Sequence, residues 1–476
     1  MPADPLRWKA LTIVCAAFFM TVLDVSIVNV ALPSIGRSLH FTEANLQWVI
    51  TAYAITFGGF LLLGGRAADV IGRRRVFLTG VAVFTIASFL CGLAWSEGVL
   101  IAARAVQGLG AAIISPSALS IVTTTFEEGA ERNKALGIWG AIGGSGAAVG
   151  VLAGGILTKY LGWEWIFFVN VPVGALAFAA APRFVRESRS DREKTQDWAG
   201  AVAVTAGLAL LVYGVSKAPD YGWTSARTIA SLAVAVVLLV AFLAIEGRAR
   251  DPLMPFAIFR IRTVAGANVA GLLLGAVTFS NFFLLTLFVQ QVLHWSALKT
   301  GLTFVSTAGT AVLWAGLAQA LVTRIGAKTV MAIGFLATIA GLAWYTQIPV
   351  HASYAADLLP GYLLIGFALP FTFIPVSIAA LAGVEHHEAG LASGLINTAQ
   401  QIGGAVGVAV CSSVLLTHSD HLMKSGRPFP EAFTSGQHWA FWVTVGIAVA
   451  ALAATLALVR RDELATVEAQ SSPGLA

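Results

Sequence analysis

A single aspartate, Asp24, stands in the middle of the first long apolar run, within Leu23-Asp24-Val25-Ser26-Ile27-Val28-Asn29-Val30-Ala31-Leu32-Pro33. Inserting a carboxylate at that depth costs roughly 2.5–3.5 kcal/mol, so such a residue marks a proton or ion pathway by default. An arginine holds a comparable place in Arg104-Ala105-Val106-Gln107-Gly108-Leu109-Gly110, near the start of the fourth apolar run. At 1.5 Å of rise per residue, Arg104 lies about 9 Å and Asp24 about 15 Å below the outer ends of their runs. Depths roughly one helical turn apart predict that the two charges pair or share a water network. A static ion pair and an arginine that snorkels outward are the competing readings.

Two glycine-rich stretches carry a different signal. Gly65-Arg66-Ala67-Ala68-Asp69-Val70-Ile71-Gly72-Arg73-Arg74-Arg75 joins the second and third runs. Its glycines permit a tight turn, and Asp69 is placed to pair with a basic neighbour or a helix N-terminus. In the fifth run Gly146, Gly150 and Gly154 recur every four residues, with Gly155 beside the last. They make a smooth face that another helix can approach and slide along, or simply pack against. Asn29, Gln47, Asn281, Gln290, Asn397 and Gln401 fall within or near apolar runs. With Trp48, Tyr53, Phe282 and Trp314 they are candidates to line a wet, amphipathic cavity, although each one alone is more simply an interhelical hydrogen bond.

No enzymatic signature accompanies these residues. The chain has no Gly-x-Ser-x-Gly elbow, phosphate loop or His-Glu-x-x-His motif. His386 and His387, beside Glu385 and Glu388, read as a solvated loop. Cys15, Cys91 and Cys411 all lie in apolar stretches, which fits neither a disulfide framework nor metal-ligand spacing. The expectation is a protein that is not an enzyme and holds no metal or cofactor.

The elements that must position these residues are membrane helices. The 476 residues are 57% hydrophobic and 11% charged, against about 25% charged in a soluble domain. Apolar runs of spanning length lie near 10–34, 46–66, 76–94, 98–124, 134–158, 165–182, 198–216, 228–246, 264–291, 300–322, 329–347, 358–381, 388–416 and 438–459. With a cytoplasmic N-terminus and alternating loops, 21 of the 29 Lys and Arg residues fall inside and 7 outside, leaving Arg104 in the membrane. That bias satisfies the positive-inside rule with an even helix count. It explains the net charge of +5 without nucleic acid.

The chain also repeats itself. Ala147-Ala148-Val149-Gly150-Val151 is echoed by Gly404-Ala405-Val406-Gly407-Val408 at an offset of 257. Ile71-Gly72-Arg73-Arg74 is echoed by Ile325-Gly326-Ala327-Lys328 at 254. Two echoes at nearly one offset predict six-helix halves related by a parallel repeat. The halves would be 1–182 and 264–460, with 183–263 a linker carrying two additional helices and 461–476 a cytoplasmic tail. The larger offset maps Asp24 onto Asn281, so the second half would lack the carboxylate.

These residues resemble the major facilitator superfamily. The Gly65–Arg75 loop looks like that family's signature between its second and third helices. Fourteen spans, the Leu23–Pro33 and Arg104–Gly108 stretches, Trp163-Glu164-Trp165-Ile166-Phe167, Asn170-Val171-Pro172, Asp251-Pro252-Leu253-Met254-Pro255 and Gly394–Gly404 look like its fourteen-helix drug:proton antiporter branch. The resemblance implies an all-α membrane protein of two pseudo-symmetric halves that exports small amphipathic compounds, drugs or antibiotics in exchange for protons. Asp24 would titrate with Arg104 tuning it. Gly65, Asp69, Gly72, Arg73 and Arg74 would form a cytoplasmic gating loop, and Gly146, Gly150, Gly154 and Gly155 the antiporter helix. The chain departs from the family with Val151, where a proline usually follows the glycine, and with Glu164, where many relatives carry arginine. An amino acid, lipid or other metabolite is the alternative cargo. The expected partners are a small-molecule substrate, protons and the lipid bilayer. The expected setting is a monomer in the bacterial plasma membrane with both termini cytoplasmic, driven by the proton gradient.

Overall fold

The computed structural model describes residues 6–126, 130–188, 197–249, 252, 256–382, 384 and 389–460. Among these residues the structure is helical, with no strand. The first helices are α1 (Arg7–Ser38), α2 (Trp48–Ile71), α3 (Arg73–Gly92), α4 (Glu97–Thr125) and α5 (Ala130–Tyr160). They are followed by α6 (Trp165–Phe184), α7 (Trp198–Tyr221) and α8 (Ala226–Arg248). Next come α9 (Arg262–Leu287), α10 (Ala297–Ile325), α11 (Ala327–Tyr345), α12 (Leu359–Ala380), α13 (Ala389–Lys424) and α14 (Phe429–Leu458). Thirteen are long and apolar enough to cross a membrane; α5 shows its apolar character over Val149–Tyr160 among the described residues. Among the described residues each of the fourteen predicted runs overlaps one of these helices.

Local chemistry sets the helix boundaries. Ser96 caps α4, its hydroxyl accepting from Val99 N at 3.4 Å, with Glu97 in the first turn facing the positive end of the helix dipole. Gly72 breaks α2 from α3 at a φ of 121°, and Gly326 breaks α10 from α11 at 82°. Side chains with a Cβ rarely adopt that backbone, so glycine at both breaks is required by the fold. Buried hydroxyls within spans mostly donate to their own helix, as Ser117 does to Ile113 O and Thr51 to Gln47 O. That leaves few polar groups to face hydrocarbon. Exposed surfaces are apolar in turn: α8 presents Ile229, Val234, Val236, Val237, Val240 and Leu243. A patch of this kind is ordinary against lipid and unusual against water.

The chain forms two compact units. Unit 1 comprises Met1–Leu211, Ser231–Met254 and Ser296–Leu302, and unit 2 the remainder. The core of unit 1 gathers Tyr53, Phe77, Phe84, Ile114 and Phe126 around α1 to α6. The core of unit 2 gathers Leu274, Met331, Phe335, Phe371 and Val376.

Close helix contacts recur in the two units at nearly fixed offsets. A methyl on Gly108 would strike the Tyr53 carbonyl, and one on Gly366 the Thr307 carbonyl. A methyl on Gly80 would strike Ile113, and one on Gly334 the Phe371 carbonyl. Likewise Gly150 packs on the Leu23 carbonyl and Gly407 on Ala276. This last pair corrects the register read from the sequence. It places the counterpart of Asp24 at Val277, one helical turn before Asn281, because the first helix of each repeat is offset by four residues less than the fifth. Unit 2 therefore has an uncharged residue at the equivalent position.

Candidate functional site

Asp24 on α1 is fully buried and Arg104 on α4 is 1% exposed. Arg104 Nη1 donates to Asp24 Oδ2 at 2.5 Å and to Gln107 Oε1 at 2.6 Å, and its Nε donates to the Val49 carbonyl at 2.8 Å. Gln107, three residues further along α4, turns its Nε2 to Asp24 Oδ1 and to Ser88 Oγ, each at 2.8 Å. Asn170 Nδ2, on α6, reaches the same Oδ1 at 3.2 Å. The Tyr53 ring lies 4.4 Å from the guanidinium and Phe167 lies 5.7 Å away. Taking two charges out of water costs several kcal/mol per ion. Here the cost is offset by a short pair contact, further donors to the carboxylate and an aromatic face under the cation.

The packing of unit 1 explains why these groups meet. Gly108 and Gly110 let α4 approach α2 and α3 until added side chains would collide with the Tyr53 carbonyl and the Phe84 backbone. That approach carries Arg104 and Gln107, one turn earlier, against Asp24. Pro116 and Pro33 lie inside α4 and α1.

The turn between α2 and α3 is held by a segment distant in sequence. Glu187 accepts from Arg74 N at 3.0 Å and Arg75 N at 3.2 Å, placing a carboxylate on the N-terminus of α3. Arg73 Nε donates to Ser120 Oγ at 2.5 Å, and its backbone N to the Ser188 carbonyl at 2.9 Å. Arg74 Nη1 reaches the Val185 carbonyl at 3.3 Å. Gly65 faces Pro116, and Gly72 faces the Glu187 carboxylate. Asp69 is in the last turn of α2, with its side chain outside the described residues. Outside them too are Asp251, His386, His387 and the segment 461–476.

Along α5 the glycines meet α1 in succession. Side chains at Gly146, Gly150 and Gly154 would collide with Val22, with the Ser26 hydroxyl and with the Ile27 carbonyl. Ser26 Oγ also donates to the Gly146 carbonyl at 3.3 Å. Gly155 faces Ala297, and the Val151 carbonyl abuts Gly301, both in the same unit.

The ten candidate cavity residues divide between the units. In unit 1, Asn29 donates to the Val25 carbonyl at 2.8 Å, Gln47 is fully buried before α2, Trp48 is half-buried, and Tyr53 underlies Arg104. In unit 2, Phe282 packs on Phe304 and Trp314 on Phe367, with ring centroids 5.1 and 5.3 Å apart. Gln290 is buried in a π-helical turn, Phe288–Val292, that extends α9. Asn281 borders a cavity of about 10 Å³ with Thr338 and Thr372, the size at which one water fits. Asn397 is exposed and donates to its own helix at Ser393 O, and Gln401 is half-buried.

Residues 14–408 match the sequence model of the Major Facilitator Superfamily. The chain belongs to the major facilitator superfamily. It is a membrane transporter and not an enzyme. The transporter is 39% identical over 458 residues to the puromycin resistance protein pur8 of Streptomyces alboniger, covering 96% of this chain and 91% of that one. It is 39% identical over 458 residues to the cephamycin export protein CmcT of Amycolatopsis lactamdurans, covering 95% and 93%. The multidrug resistance protein Stp of Mycobacterium tuberculosis is 36% identical over 411 residues, covering 86% and 76%. In fold the transporter is similar to the POT family transporter PepTSo, with a TM-score of 0.69 at 14% identity, over 99% of this chain and 100% of that one.

Four groups around the transporter's charged pair are absent from the residues singled out by sequence: Gln107, Asn170, Ser88 and the Val49 carbonyl. Gln107 and Asn170 lie inside stretches that carry the family resemblance. Nothing in their type separates them from the other buried amides, and their pairing is set by helix packing. Glu187 is missed for a similar reason, since more than a hundred residues separate it from the helix it caps.

Proposed function

We propose that the transporter exports small amphipathic compounds, drugs or antibiotics among them, in exchange for protons across the bacterial plasma membrane. Both termini are cytoplasmic in this reading and the proton gradient supplies the energy. The observation that carries it is Asp24, a fully buried carboxylate held by Arg104, Gln107 and Asn170. A packing role alone would be served at lower cost by an apolar residue of the same size. The relatives named for export of, or resistance to, antibiotics support the cargo class.

In this mechanism Asp24 takes a proton from the outside and returns it inside as the protein passes between outward-open and inward-open states. Protonation changes the charge of the Asp24–Arg104 pair from zero to plus one and removes most of the attraction that joins α1 to α4. Loss of the proton restores it. Substrate and proton need not touch, because both act on the same two-state element. The glycine face of α5 on α1 supplies a contact that can rock without side chains interlocking. Gly72 and the carboxylate of Glu187 fix the turn at the other end of the unit.

Proton release driven by a panel of lipophilic dyes and antibiotics, in inverted vesicles, tests this function. Responses to several of these compounds support export of amphipathic drugs. A response only to an amino acid, lipid or other metabolite would keep the coupling and change the cargo.

A further inference from the structure

The hydrogen-bond inventory around Asp24 is complete for an ionised carboxylate and wrong for a neutral acid. Oδ2 accepts from Arg104 Nη1, and Oδ1 accepts from Gln107 Nε2 and Asn170 Nδ2. Each of these partners points a donor at the carboxyl group. A protonated carboxyl must itself donate one hydrogen bond, and a guanidinium has no acceptor to offer. In a site this buried, an unmatched O–H facing N–H groups carries the full penalty of a buried unsatisfied donor. Something must turn when the proton arrives.

Two amides can turn, and only one of them is tied to both charges. Gln107 receives Arg104 Nη1 and, more weakly, the Cys91 thiol on Oε1, and gives Nε2 to Asp24 and to Ser88. Rotating that amide by half a turn brings Oε1 to the new O–H of Asp24. Ser88 follows by changing from acceptor to donor, which a hydroxyl does without moving its oxygen. The same rotation sets Nε2 against Arg104 Nη1, donor against donor. The guanidinium therefore loses the acceptor Gln107 Oε1 and the negative charge of Asp24, whose Oδ2 stays behind as the weaker acceptor of a neutral acid. It keeps the Val49 carbonyl at 2.8 Å and the Tyr53 face at 4.4 Å, so it has a place to withdraw to. Turning Asn170 instead would satisfy the acid and leave Arg104 undisturbed.

We propose that Gln107 is a positioning residue that works as an amide switch, reporting the protonation state of Asp24 to Arg104. The proton moves from water to an Asp24 oxygen, one O–H bond forms, and no other covalent bond changes. Gln107 converts that local event into release of the arginine from α1, while its contacts with α2 persist. The proposal rests on Asp24 as the proton-carrying group and adds the element that makes its two states structurally different.

The test is a pH-jump infrared difference spectrum of the full-length protein in nanodiscs with isotope-labelled glutamine, comparing wild type with Gln107→Met and Asp24→Asn. Methionine keeps the length of glutamine and can neither donate nor accept usefully. A glutamine carbonyl band that shifts with pH in wild type, and is lost in both variants, is the expected result. A shift that persists in Gln107→Met, or no shift in wild type, overturns the switch. In vesicles, Gln107→Met should lower protons released per substrate on the order of tenfold, the worth of a hydrogen bond to a charged group. Asn170→Leu removes one donor to the carboxylate and should lower that ratio less than Gln107→Met does, and the reverse ranking assigns the turn to Asn170. The infrared signal reads Gln107 without transport. A response that depends on Asp24 but accompanies no proton movement would therefore retain the switch and remove antiport.

Discussion

Arg104 Nη1 lies 2.5 Å from Asp24 Oδ2, and the side chains of the two residues are 2% and 0% exposed. Breaking such a pair from one side leaves the other charge buried and alone, which typically costs about 3–5 kcal/mol. Arg104→Met should therefore destabilise the protein by about that amount, read as a large drop in melting temperature in detergent or nanodiscs. Adding Asp24→Asn to Arg104→Met should recover much of the loss, because no unpaired charge remains. A double variant less stable than Arg104→Met would show that the carboxylate is held mainly by Gln107 and Asn170.

Gly150 and Ser26 set the spacing between α5 and α1. A methyl at position 150 would overlap the Ser26 hydroxyl and press on the Leu23 carbonyl. Gly150→Ala should cost about 1–3 kcal/mol by overpacking and slow transport. Ser26→Ala in that background should restore part of both, since it relieves the side-chain overlap and leaves the backbone contact. Transport assays and thermal unfolding on the two variants check this. Full activity in Gly150→Ala alone would mean that the helices separate at no cost.

Glu187 places its carboxylate on two backbone N–H groups at the start of α3. Glu187→Ala should lower stability by roughly 1 kcal/mol, the scale of a lost helix cap. Arg75→Ala should have little effect, because its contact with Glu187 is 3.8 Å and its side chain is 73% exposed. Chemical denaturation of the two variants ranks them.

Arg7 holds Glu131 through two hydrogen bonds, at 2.8 and 2.9 Å. That hydrogen bonding, more than simple proximity of charge, keeps the Glu131 carboxyl below its ordinary value near 4.5. A carboxyl lowered by folding contributes stability that is present above its unfolded value and is lost as pH falls through the folded one. The stability difference between wild type and Glu131→Gln should be small, present at neutral pH, and absent once pH falls well below 4.5. A difference that grows on acidification would reverse the sign of the coupling.

The helices and the charged pair were legible in the sequence for simple reasons. A span needs about 20 apolar residues, and a charge inside one is rare enough to stand out. Equal rise per residue then places Asp24 and Arg104 at similar depth. The amides were not legible, because Gln107, Asn170, Asn281 and Gln401 are alike in type and setting until the helices pack. Register between repeats failed by one turn at Asn281 because sequence echoes follow glycines on the fifth helix of each repeat. The facing helices pair with a different offset, Leu23 with Ala276. Glu187 accepts from the first backbone N–H groups of α3, a contact that no local reading of the turn could offer.

Proton movement in inverted vesicles, with Asp24→Asn beside wild type, tests the central claim most directly. The account predicts substrate-driven proton release in wild type and none in Asp24→Asn, at matched expression and folding. Release that survives in Asp24→Asn would contradict it. Substrate movement that ignores the pH gradient in both proteins would contradict it as well and leave facilitated diffusion.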